Sequence, residues 1–261
     1  MLNIEPVKAF NDNYLWVIHE PGSNQACVVD PGDAAPVLEW LDRNGMRLAA
    51  ILVTHHHGDH IGGIDKLLAR ARVPVYGPAT PRIPQVTNAV AEGDRITVLN
   101  HEFSVLAVPG HTLEHIAYVS TARVTDAGPV LFCGDTLFAA GCGRMFEGTP
   151  PMMHDSLRKL ADLAPDTQVY CAHEYTLSNL RFAAAVMPDN ADVQARIALD
   201  SATRERGQPT VPSSIGVERR TNPFLRAAEP AVIAAAQRHQ PGSANDPATV
   251  FGVLRRWKDG F

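Results

Sequence analysis

The sequence predicts an α+β chain, a β-rich stretch with interspersed helices followed by a helical one. Two patterns carry this. Short apolar runs bounded by turn residues recur through the first two thirds, and helical apolar spacing takes over after Tyr175. The composition suits such a fold. Of 261 residues, 45% are apolar and 20% charged, enough to bury a core without disulfide staples. The formal net charge of -5 argues against nucleic acid as a partner. No apolar run reaches membrane-spanning length, and the start Met1-Leu2-Asn3-Ile4-Glu5-Pro6 lacks the basic and apolar regions of a signal peptide. The four cysteines, Cys27, Cys133, Cys142 and Cys171, form no CxxC pair and read as reduced thiols. A soluble cytoplasmic protein, with no membrane partner, is expected.

The elements follow in order. Tyr14–His19 and Ala26–Asp30 are predicted strands around a Pro21-Gly22-Ser23-Asn24 turn, and so a hairpin. Val37, Leu38 and Leu41 give Ala34–Arg43 a helical face, stopped at Asn44-Gly45. Leu48–Val53 is a buried-strand run, Ile64–Arg72 a helix and Pro74–Tyr76 a short strand. Further strands are predicted at Arg95–Leu99, Phe103–Val108, Ile116–Ser120, Val130–Cys133 and Val169–Ala172. Thr149 is read as the N-cap of a helix running to Leu163, with proline in its first turn. Strand signals then cease. Leu177–Val186, Asp192–Glu205, Ala228–Arg238 and Pro247–Trp257 read as helices, so a boundary is placed to give domains 1–174 and 175–261.

His55, His111, Asp135 and His173 each fall just beyond a predicted strand, where α/β folds build their sites. His55-x-His57-x-Asp59-His60 supplies four nitrogen or oxygen donors in six residues, the donor types a borderline metal favours. Side chains alternate along an extended segment, so His55 and His57 can point the same way. Asp59 and His60 follow where the chain turns through Gly58. The spacing suits two ions: His55, His57 and His111 on one, Asp59, His60 and His173 on the other, with the Asp135 carboxylate bridging. Zinc is the default, and iron or manganese fits the same donors. Structural zinc sites usually use cysteine, so this set reads as catalytic.

The cluster followed by Gly62-Gly63, then Pro109-Gly110-His111-Thr112 and Gly134-Asp135-Thr136, resembles the metallo-β-lactamase superfamily signature. The resemblance implies an αβ/βα four-layer sandwich with a C-terminal helical domain and metals at one edge. His56 lies inside the motif but is not a ligand in that pattern. Three further segments are similar to the glyoxalase II family, the hydroxyacylglutathione hydrolases: Thr136–Arg144, Val169–Thr176, and the Thr221–Arg226 and Leu254–Asp259 pair. That family implies an enzyme that cleaves a glutathione thioester with two metal ions; a monomer is expected, with Asp59 a ligand that also orients the attacking water and Asp135 bridging. It also implies glutathione contacts from Arg144, Phe146, Tyr175, Arg255 and Lys258. Arg144 stands where many members have lysine, and Phe146 where some have tyrosine. Guanidinium and ammonium groups suit a ligand with two carboxylates. A basic cluster at a helix C-terminus can equally serve the helix dipole. A lactonase, a β-lactamase, a one-iron sulfur dioxygenase and a non-enzymatic metal-dependent scaffold are the rival readings; the full set Asp59, His60 and His173 favours hydrolysis, and an intact ligand set argues against a scaffold.

Overall fold

The computed structural model describes residues 1–120 and 122–261. The chain divides into two units. Met1–Ala107, Glu114–Gly134 and Tyr170–His173 form the first; Val108–Leu113, Asp135–Val169 and Glu174–Phe261 form the second.

In the first unit the chain runs β1 (Asn3–Ala9), β2 (Asn13–His19), β3 (Gln25–Val29), α1 (Ala34–Arg43), β4 (Arg47–Leu52), α2 (Gly58–Ile61), α3 (Ile64–Arg70), β5 (Val75–Pro78) and β6 (Asn88–Val90). The six strands form one sheet in sequence order. β1, β2 and β3 pair antiparallel, as the predicted hairpin requires, and β3 to β6 pair parallel. α1 keeps its predicted bounds because both ends are signalled: the Asp33 side chain accepts from Ala35 N, and Asn44 closes the last turn.

Every residue of β2 is buried, which requires cover on both faces of the sheet. Leu15 and Val17 face a core shared with Val37 and Leu41 of α1 and Ile64 and Leu67 of α3. Trp16 faces the opposite way, onto a second sheet, where its indole N–H donates to Cys171 O at 2.9 Å and its ring meets Tyr170 edge-on. That second sheet holds the meander β7 (Arg95–Val98), β8 (His101–Ala107), β9 (Ile116–Ser120) and β10 (Val130–Gly134). Tyr118 of β9 ties the sheets face to face, its hydroxyl donating to Val53 O at 2.9 Å.

The second unit opens its ordered part with a small hairpin, β11 (Leu137–Phe138) and β12 (Gly141–Cys142), and continues through α4 (Pro150–Ala161). β13 (Gln168–Cys171) divides between the units. Then come α5 (Thr176–Val186), α6 (Ala191–Glu205), β14 (Ser213–Ser214), α7 (Ile215–Thr221), α8 (Pro230–His239) and α9 (Pro247–Asp259). Two expectations are corrected here. Strands do not end at Tyr175, since Ser213 and Ser214 pair with Val169 and Gln168. Thr149 occupies the N-cap of α4 but its side chain makes no cap bond, the first turn being set by proline. Among the described residues no helix is long and apolar enough to cross a membrane.

A buried polar knot organises the helical part. Glu218 of α7 is fully buried and pairs with Arg196 of α6 at 2.8 Å. It also accepts from Ala140 N at 2.8 Å and Asn222 Nδ2 at 3.0 Å. Ala140 sits at φ 55° in the β11–β12 turn, a conformation that costs an L-residue energy. Asn179 and Asn222 hold the same turn through Ala139 O and Gly141 O. Helix side chains thus fix the shape of the hairpin.

Candidate metal ligands and a cationic cavity

In the first unit the end of β4 delivers Thr54 and His55, and α2 begins directly after His57. His55 and His57 do turn the same way: His55 Nε2 lies 3.1 Å from His57 Nδ1. Asp59, His60 and His173 converge, each offering a ligand atom within 4.8 Å of the other two. Asp59 Oδ2 lies 3.4 Å from both His60 Nε2 and His173 Nε2 and accepts from Asn13 Nδ2 at 3.0 Å. The opposite ring nitrogens face other partners. Asp12 Oδ1 is 2.8 Å from His173 Nδ1, Asp30 Oδ2 is 3.1 Å from His60 Nδ1, and Thr54 Oγ1 is 3.1 Å from His55 Nδ1. An imidazole held at one nitrogen and convergent at the other is how metal-ligating histidines are oriented. The donor set and its backing therefore fit a divalent cation.

Burial pushes the Asp59 carboxyl up, but hydrogen bonds from His173 and His60, the charge of His60 and the Asn13 amide outweigh it. Together they hold the group well below the usual carboxylate range. Asp30 ties the cluster together, also accepting from Thr54 N and Thr54 Oγ1, both at 2.7 Å. Gly63 must be glycine, because a Cβ there would lie 2.5 Å from Ala34 N and 2.6 Å from Pro31 O. His56 turns to Glu114 and Arg82 instead, consistent with its exclusion from the ligand set. The buried His115 ring stacks on His55 at 4.6 Å.

The remaining ligand candidates, His111 and Asp135, belong to the second unit. His111 follows the end of β8 and Asp135 the end of β10, as expected. His111 Nε2 lies 3.4 Å from Asp135 Oδ2, and His111 Nδ1 donates to Arg144 O at 2.8 Å. Both residues line a cavity of about 370 Å³ whose walls also include Arg144, Phe146, Tyr175, Arg255 and Lys258. All five predicted glutathione contacts therefore meet two ligand candidates in one place.

Four of the cavity residues are held by contacts of their own. Arg255 is 4% exposed, donates to Cys142 O at 2.8 Å, and stacks over Phe224. Lys258 donates to Ser178 Oγ at 3.1 Å and lies over the Phe182 and Phe261 rings. Burial, then the charges of Arg255, Arg181 and Arg144, pull its ammonium below the ordinary lysine value. Tyr175 packs edge-on against Phe138, and Phe146, largely exposed, packs edge-on against His111. Sequence reasoning missed Asp12, Asn13, Asp30, Ser178 and Asn179. Asp12 lies 161 positions from His173 and Asn13 lies 46 from Asp59, so no local spacing links them.

Residues 11–173 match the family model for the Metallo-beta-lactamase superfamily, and residues 174–261 the model for the Hydroxyacylglutathione hydrolase C-terminus. The chain is 53% identical over 262 residues to a hydroxyacylglutathione hydrolase of Ectopseudomonas mendocina, and 54% identical over 271 residues to one of Cupriavidus metallidurans. Each alignment covers 100% of both chains. Among solved structures, ETHE1 from Myxococcus xanthus aligns with a TM-score of 0.64 at 23% identity, over 99% of this chain and 98% of that one. BLEG-1 B3 metallo-beta-lactamase aligns at 0.61 and 24%, over 86% and 99%. At those identities the likeness is one of fold, and it bears out the expected metallo-β-lactamase architecture, while the match of residues 174–261 bears out the added helical segment.

Proposed function

The chain belongs to the hydroxyacylglutathione hydrolase family of the metallo-β-lactamase superfamily, and on that premise we propose that it hydrolyses S-(2-hydroxyacyl)glutathione to glutathione and a 2-hydroxy acid. The natural substrate is S-D-lactoylglutathione and the acid D-lactate, which makes this the second step of methylglyoxal detoxification. The observation that carries the reading is the shared cavity, where ligand candidates His111 and Asp135 share walls with Arg144, Arg255 and Lys258. A thioester whose acid-bearing tail is held by cations places its carbonyl where metal chemistry can act.

We assign His55, His57 and His111 to one ion, Asp59, His60 and His173 to a second, and Asp135 as the bridge, in a monomeric cytoplasmic enzyme. Zinc is the expected metal, with iron or manganese compatible with the same donors. Bound there, the cations supply a lowered pKa for water and polarisation of the thioester carbonyl. The chain's own residues do the rest. The Asp59 carboxylate, fixed by Asn13, His60 and His173, orients the attacking water. Lys258, Arg255 and Arg144 meet the carboxylates of the glutathione tail, and the Tyr175 hydroxyl offers a hydrogen bond. Water gives up one proton to solvent as its oxygen bonds to the acyl carbon, the C–S bond breaks with its electron pair going to sulfur, which leaves as thiolate, and the new acid releases its remaining proton to solvent. A thiol of pKa about 8.5 departs without a strong general acid, so a proton donor beside the sulfur is not required. Phe146 offers an aromatic face and no hydroxyl to the cavity.

The test is hydrolysis of S-D-lactoylglutathione by metal-replete protein, followed by loss of the thioester, beside a chelator-treated sample. Turnover that the chelator abolishes and added metal restores is expected. Metal-loaded protein with no thioesterase activity would overturn the substrate assignment.

A further inference from the structure

Asp259, the last residue of α9, carries an inference that deepens the proposed function and rests on it. Its carboxylate stands among cations. Arg255 Nη2 donates to Asp259 Oδ1 at 3.1 Å, and Arg144 Nε lies 3.5 Å from the same oxygen. Both arginines line the cavity, and so does the neighbouring Lys258. Two guanidiniums on one oxygen fix the carboxylate's orientation at little cost in mobility, since Arg255 is itself anchored to Cys142 O. Among the described residues none donates a hydrogen bond to the second oxygen, Oδ2, and the Asp259 side chain is 41% exposed. Beside the arginines and lysine of a cavity that also holds Asp135 stands an oriented, partly exposed carboxylate acceptor.

Such an arrangement matches one end of the substrate. The γ-glutamyl group of glutathione carries a carboxylate and an ammonium on the same carbon. A receptor for that pair needs a cation and an anion side by side, and Arg144, Asp259 and Arg255 alternate in that way. We propose that Asp259 Oδ2 receives the γ-glutamyl α-ammonium, making Asp259 a specificity-determining residue that selects the zwitterionic tail over tails bearing only carboxylates. Asp259 also positions the two arginines, but that role alone would affect both kinds of tail alike.

The experiment compares two thioesters, S-D-lactoylglutathione and its des-amino analogue in which a glutaryl group replaces the γ-glutamyl group. Wild-type protein is expected to favour the ammonium-bearing thioester by about threefold to fivefold in kcat/KM, through KM, the range of a partly exposed ion pair. Asp259→Asn is expected to lower that preference to near one, and Asp259→Glu to keep part of it. Equal kcat/KM for the two thioesters in wild-type protein overturns the proposal without any variant being made. A preference that persists unchanged in Asp259→Asn overturns it as well, leaving Asp259 a positioning residue alone. Failure of the proposed function itself looks different, since wild-type protein would then turn over neither thioester.

Discussion

Glu218→Gln tests whether the buried knot sets the stability of the helical part. The carboxylate is fully buried, with one oxygen toward Arg196 and Ser213 and the other toward Ala140 N and Asn222 Nδ2. Every one of these partners donates except where Ser213 can turn its hydroxyl. Glutamine keeps the shape but places an NH2 where an acceptor is needed, and it removes the negative charge facing Arg196. Breaking a buried ion pair at one partner costs about 3–5 kcal/mol. Arg196 keeps Asp200 at 3.2 Å, which retains part of its compensation and points to the lower end, about 3 kcal/mol. Against a typical total of about 5–15 kcal/mol this is a large loss. Urea unfolding should show it as a lower midpoint at unchanged slope. Adding Arg196→Met together with Asp200→Asn should recover part of the loss, because the stranded cation is then gone and no buried carboxylate is left facing it. A Glu218→Gln protein within about 1 kcal/mol of wild type would refute the assignment of the knot as an energetic keystone.

Two further expectations follow from the site. Asp12→Ala removes the 2.8 Å partner of His173 Nδ1 and should weaken metal retention by about 10–100-fold in a chelator competition, with an unchanged metal affinity counting against the orienting role. Lys258 binds carboxylates only when protonated, and burial with neighbouring arginines lowers its pKa from the ordinary 10.5, so KM should begin to rise below that pH as alkalinity removes the charge. Lys258→Arg should flatten this limb, and a KM of wild-type protein that stays level up to pH 10.5 would exclude Lys258 from substrate binding.

The parts of the fold that could be read from sequence are those where one local rule sufficed. α1 has a capping aspartate, an apolar stripe and a terminal Asn-Gly, so its ends coincide with the prediction. The strands that deliver His55, His111, Asp135 and His173 are short apolar runs, legible for the same reason. β1 escaped because Glu5, Pro6 and Lys8 interrupt its apolar pattern, as suits a strand at a sheet edge, where it pairs with β2 alone. α7 is seven residues with a glycine near its start, and its worth lies in Glu218, whose partners come from α6, the β11–β12 turn and beyond. At the site, the ligand candidates were legible because His-x-His-x-Asp-His is dense in chemistry. Their orienting partners were not, because Asp12, Asn13 and Asp30 are ordinary turn and strand-end residues until the sheet brings them to the histidines.

The burial of all four cysteines has a consequence for a catalyst whose product is a thiol. Glutathione disulfide, the oxidised form of that product, exchanges with any accessible protein thiolate, releasing one glutathione thiolate and leaving a mixed disulfide that would block the cavity where it arises. Cys27 and Cys133 and Cys171 are at 0% exposure, and Cys142, though it borders the cavity, is at 4%. Burial pushes the Cys142 thiol up to about 11, with Arg255 opposing, so almost none of it is thiolate at neutral pH. The same packing that gives Arg255 its carbonyl anchor therefore lets the protein work beside the disulfide of its own product without being modified by it.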